Sequence, residues 1–98
     1  MIYLISYDLP RGLLRPSREP LLDEIVSPPT RDWMHYLDKT WLVSTPETVD
    51  DLNNRLGQWL RPNDKLLVVE FSRNFAGFLP EDAWDWVNER IDAGDLYS

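Results

Sequence analysis

Apolar side chains fill almost every position of residues 2–7, Ile-Tyr-Leu-Ile-Ser-Tyr, and β-formers occupy both faces of the run. That pattern predicts a buried, central strand. Leu9-Pro10-Arg11-Gly12 breaks it, and Pro16 keeps the following stretch irregular. Leu21, Leu22, Ile25 and Val26 then mark one face of a short helix, with Pro20 tolerable in its first turn and Pro28-Pro29 ending it. Residues 32–45 are strand-rich around Asp38-Lys39, which fits two short strands with a tight turn or one long bent strand. Thr45-Pro46 reads as a helix start, with a hydroxyl at N-cap and proline at N1. Val49, Leu52, Leu56, Trp59 and Leu60 follow at helical spacing, with Asp50, Asp51, Asn54 and Arg55 off that face. Residues 65–71 form the second apolar run and predict a second buried strand. Beyond a loop over residues 72–79, Trp84, Val87 and Ile91 give a last helix opened by Pro80, with Gly94 suited to its C-terminal end.

The resulting order, β-α-β-β-α-β plus a further helix, predicts an α+β fold of the ferredoxin-like, split β-α-β kind. One antiparallel sheet would carry both crossover helices on one face, and the third helix would pack an edge or reach a partner subunit. The 98 residues fit one domain, with a core over about residues 1–72 and a C-terminal loop and helix over 73–94. A domain of this size has a modest core, so a homodimer is expected.

Composition narrows the chemistry. The chain has no cysteine and one histidine, which excludes disulfides, zinc-thiolate sites and thiol catalysis. The short apolar start lacks a basic leader, and no stretch approaches a membrane span, so a soluble cytoplasmic protein is expected. The net charge of −7 disfavours general nucleic-acid binding. The charges are uneven, however: Arg11, Arg15 and Arg18 follow the first strand, and acidic residues crowd the C-terminal end.

Four features are candidate chemistry. Asp8 closes the first strand and can hold a hard cation such as Mg²⁺ or Mn²⁺ if a dimer mate or a substrate phosphate completes the shell. Its plainer role is to accept backbone N–H bonds in the Tyr7–Arg11 turn. His35 can act as a general acid or base, or simply hydrogen-bond within its strand. Arg11, Arg15 and Arg18 can grip phosphate or pair with the chain's own acidic surface. Trp84 and Trp86 lie about 200° apart on one helix, so both cannot face the core, and one of them marks an interface. Phosphate-loop and paired-carboxylate signatures are absent from the sequence.

The residues Met1 to Leu9, Trp33 to Val43, Asp64 to Val69 and Ala76-Gly77, in that order and spacing, resemble small bacterial SinR-like proteins. These are similar in turn to the superfamily of CRISPR-associated protein two and the VapD ribonucleases. The resemblance spans roughly residues 1–78 and implies a dimerising ferredoxin-like protomer. In the CRISPR family the carboxylate ending the first strand is proposed as a metal ligand paired with its symmetry mate, a position that Asp8 matches. The family's basic segment after that carboxylate corresponds only loosely to Arg11, Arg15 and Arg18. The basic first helix is missing here, the 9–20 loop is proline-rich and the charge is acidic. Two functions are expected on this basis: a metal-dependent nuclease acting on RNA or DNA, with Asp8 on the metal, Arg11 on phosphate and His35 in proton transfer, or a non-enzymatic interaction module with an acidic face. An inactive regulatory relative, such as half of a toxin–antitoxin pair, is a third.

Overall fold

The structure, a computed structural model, describes residues 1–10, 19–72 and 74–94. The elements run β1 (Ile2–Asp8), α1 (Pro20–Val26), β2 (Asp32–Leu37), β3 (Thr40–Ser44), α2 (Val49–Gly57), β4 (Lys65–Glu70) and α3 (Glu81–Asp92). The fold is α+β: one four-stranded antiparallel sheet in the order β2-β3-β1-β4, with three helices. The segment over residues 32–45 is two strands joined through Asp38-Lys39, and a bulge between Met34 and Leu37 interrupts their register.

Strand alternation divides the interior in two. On one face Tyr3 and Ile5 of β1, with Trp41 and Val43 of β3, meet Leu21 and Ile25 of α1 and Leu52 and Leu56 of α2. On the other face Ile2, Leu42 and Met34 meet Ala83 and Val87 of α3. The third helix therefore covers the opposite face of the sheet rather than an edge. Tyr3, Ile5, Leu21, Ile25, Leu52 and Leu56 are fully buried. Each such aliphatic side chain contributes roughly 1.5–3 kcal/mol relative to exposure.

The helix that follows β3 begins later than Thr45-Pro46 suggests. Its N-cap is Thr48, whose Oγ1 accepts the Asp51 N–H at 3.1 Å. Thr45 makes other bonds: its N–H donates to the Met1 carbonyl, and its hydroxyl donates to Glu47 Oε1 at 2.9 Å and accepts the Glu47 N–H at 3.4 Å, short of the first turn of α2. Thr45 is instead buried beside the last strand residue, Ser44.

Arg55 also departs from its expected place on the outer side of α2. Its side chain is only 15% exposed and sits among α1, the α1–β2 loop and the β3–α2 loop. Nε and one terminal nitrogen donate to the two carboxylate oxygens of Glu47 at 3.1 and 2.9 Å. The terminal nitrogens further donate to Glu24 O at 2.6 Å, Glu24 Oε2 at 3.3 Å, Ser27 O at 3.4 Å and Thr30 Oγ1 at 2.9 Å. A planar fork of five donors is thereby matched to acceptors from three segments. Among the described residues no helix is long and apolar enough to cross a membrane.

Candidate functional site

Asp8 ends β1 with Lys65 of β4 as its cross-strand neighbour, and its side chain is exposed. Alternation along β1 puts it on the α3 side of the sheet, with Ser6 and Leu4. His35 is exposed on β2, where its ring stacks on Trp41 at 3.8 Å and Nε2 lies 2.8 Å from the Asp38 carbonyl. Trp41 belongs to the α1 and α2 side, and its Nε1 donates to the Tyr7 hydroxyl at 3.1 Å. Asp8 and His35 therefore share an end of the sheet but not a face, which separates the metal ligand and the proton donor that the sequence suggests. Arg11, Arg15 and Arg18 lie outside the described residues. Among the described residues no three His, Cys, Asp or Glu side chains are grouped to hold a metal ion.

The helical stripe of α3 is shifted from the expected one: Ala83 and Val87 are the buried positions, and Trp84 and Trp86 flank them, both half-buried. Each is partly covered within the chain. The two flanks serve different ends. Trp86 lies under the Arg90 guanidinium, 5.9 Å from its carbon, and Arg90 is held by Asp32 of β2 at 3.1 Å. That arrangement ties α3 to the sheet edge. Trp84 stacks on Phe75, with centroids 6.0 Å apart, and Phe75 meets Phe71 at 4.6 Å.

The Trp84 flank opens onto a groove of about 310 Å³ between α3, the sheet and the segment over residues 74–79. Leu4, Met34, Leu42, Phe71, Trp84 and Val87 line it, and Ala76 to Leu79 form one lip. At the β2–β3 end Thr40 adds a hydroxyl that bonds to Ser6 Oγ at 3.3 Å. The mouth carries exposed apolar side chains: Phe78 is fully exposed, and Tyr36 and Leu37 are about half exposed. Leu67 and Val69 of β4 extend this apolar surface, since they oppose Ser6 and Leu4 across the sheet. Large apolar side chains gathered at one opening are a usual mark of an interaction surface.

Sequence reasoning found Trp84 but missed this groove. Its signal is the run Phe71, Phe75, Phe78, Leu79, whose apolar spacing in a segment without regular structure is unlike that of a solvated loop. In comparisons with protein-family models, curated proteins and solved structures, none matches the chain.

Proposed function

We propose that this chain is a ferredoxin-like binding module, homodimeric and non-enzymatic, that holds a macromolecular partner in the groove between α3 and the sheet. The single observation that carries the reading is that groove, with Phe78, Leu37 and Tyr36 exposed at its mouth. The ferredoxin-like assignment is supported by the antiparallel order β4-β1-β3-β2, in which each crossover helix joins strands separated by one other strand. Homodimerisation is supported by β4, which pairs only with β1 among the described strands and displays Leu67 and Val69. The test is to titrate the protein with the uncharged, polarity-sensitive dye Nile red and to measure its mass by sedimentation. The native protein should enhance the dye's fluorescence and sediment as a dimer. A folded Leu37→Ser/Phe78→Ser variant should lose most of the enhancement. An unchanged dye signal in that variant sinks the groove, and a monomeric mass sinks the dimer.

A second reading, a metal-dependent nuclease, is favoured by the exposed Asp8 carboxylate at the end of a central strand. Two such carboxylates across a dimer would hold Mg²⁺ or Mn²⁺, with Arg11, Arg15 and Arg18 on phosphate. Metal-dependent cleavage of labelled RNA or DNA that vanishes in a folded Asp8→Ala protein would establish it. Equal cleavage by both proteins would remove it.

A further inference from the structure

We infer that the occupant of this groove is a cationic amphipathic helix, an identification that rests on the binding-module reading above. Two observations carry it. The first is the lining, which is almost wholly apolar side chains from sheet, helix and loop. An extended segment lying there would leave its N–H and C=O groups without partners, at a cost of several kcal/mol each in the apolar limit. A helix satisfies its own backbone and presents apolar side chains one turn apart, the usual form of helix-in-groove recognition.

The second is charge on the helical wall. At about 100° per residue, Asn88, Glu81, Asp92 and Asp85 follow Trp84 in turn around α3, within about 40–100° of it. All four are exposed. The face immediately above the groove therefore carries three carboxylates, and Glu89 and Asp82 continue the acidic surface further round. Arg90, the cation of the helix's last turn, lies on the opposite flank against Trp86 and Asp32. A partner helix seated against Trp84 thus places its upper edge beside these carboxylates. Lysine or arginine there gains attraction that an acidic helix would meet as repulsion. The chain's net charge of −7 adds a long-range attraction for cationic partners.

The experiment uses the full chain and synthetic helical peptides of about four turns, all with the same leucine stripe and with lysine, glutamine or glutamate elsewhere. A scrambled leucine–lysine peptide is the control for charge alone. Calorimetry at low salt should show the patterned leucine–lysine peptide binding about tenfold or more tighter than the leucine–glutamine peptide. The leucine–glutamate peptide should bind weakest, and the advantage should shrink at about 0.5 M salt. The Glu81→Gln/Asp85→Asn/Asp92→Asn variant should bring the lysine peptide down to the glutamine level, while Leu37→Ser/Phe78→Ser should weaken all three.

Lysine and glutamine peptides of equal affinity would overturn the cationic partner and leave the groove standing. Binding of the scrambled peptide as tightly as the patterned one, or retention in Leu37→Ser/Phe78→Ser, would reduce the effect to surface charge and overturn the inference. Dye binding without peptide binding would overturn the helix alone, and failure of both would take the binding module with it. A dimer that Leu37→Ser/Phe78→Ser splits into monomers would make a second copy the occupant and also overturn the inference.

Discussion

Arg55→Met removes the fork that joins α1, α2 and the loops flanking β2 and β3, while keeping the aliphatic bulk of the side chain. It leaves the Glu47 carboxylate, 10% exposed, and the Glu24 carboxylate, 22% exposed, without their shared cation. The Glu24 and Ser27 carbonyls and the Thr30 hydroxyl lose a donor as well. Breaking a buried ion pair from one side costs about 3–5 kcal/mol, and residual exposure puts this site at the lower end, about 3 kcal/mol. For a domain near 100 residues that corresponds to a fall in Tm of about 12–24 °C. Urea denaturation followed by far-ultraviolet circular dichroism reads the change directly, as a lower midpoint at unchanged slope. Arg55→Lys should cost less, about 1–2 kcal/mol, because a single ammonium keeps the charge but cannot span both Glu47 carboxylate oxygens and the four further acceptors. Adding Glu47→Gln to Arg55→Met should recover part of the loss, with a coupling of about 1–3 kcal/mol, since it removes the orphaned charge. A single Arg55→Met protein within about 0.5 kcal/mol of the native one would refute the account of Arg55 as the fastener of this corner.

Other substitutions test other parts of the fold. Thr48→Ala should cost about 1 kcal/mol through loss of the cap on α2, measured by the same denaturation, and Thr48→Gly only a few tenths. Tyr3→Phe deletes the hydroxyl that donates to the Glu47 carbonyl at 2.6 Å, and should cost about 1 kcal/mol in the denaturation midpoint. Asn63 has φ of 75° in the α2–β4 turn, so Asn63→Val should cost about 1–2 kcal/mol whereas Asn63→Gly should not destabilise. Gly77→Ala should leave stability unchanged, because a Cβ there meets Trp84 no closer than 3.9 Å, and thermal denaturation checks it.

The strands and helices were legible because each carries its own period: dense β-formers in residues 2–7 and 65–71, and four-residue spacing at Leu21/Ile25 and Leu52/Leu56. The start of α2 was misread because two threonines precede it, and local preference alone does not say which hydroxyl is free. The long-range bond from the Thr45 N–H to the Met1 carbonyl keeps Thr45 at the end of the sheet and leaves the cap to Thr48. Arg55 looked like a solvated residue because its acceptors lie 8 to 31 residues away along the chain, beyond any local pattern. Asp8 was legible as the end of β1, but not that His35 lies on the other face, since that follows from pairing between strands. The groove was hidden for the same reason: Leu4, Leu42 and Phe71 become neighbours only when β1 sits between β3 and β4.

The alternation of β1 gives the chain two partly independent inheritances. Tyr3 and Ile5 point into the layer fastened by α1 and α2, while Leu4 points into the groove and Ile2 under α3. Substitutions on opposite faces of a strand share few neighbours, so their effects on stability approach additivity. The groove lip and the α3 carboxylates can therefore be rewritten with little change to the layer on the other side. One scaffold acquires new partners by this route through changes at the groove mouth and along α3, and a library varied at Leu37, Phe75, Phe78, Trp84 and Asp85 should yield altered binding without wholesale loss of folding.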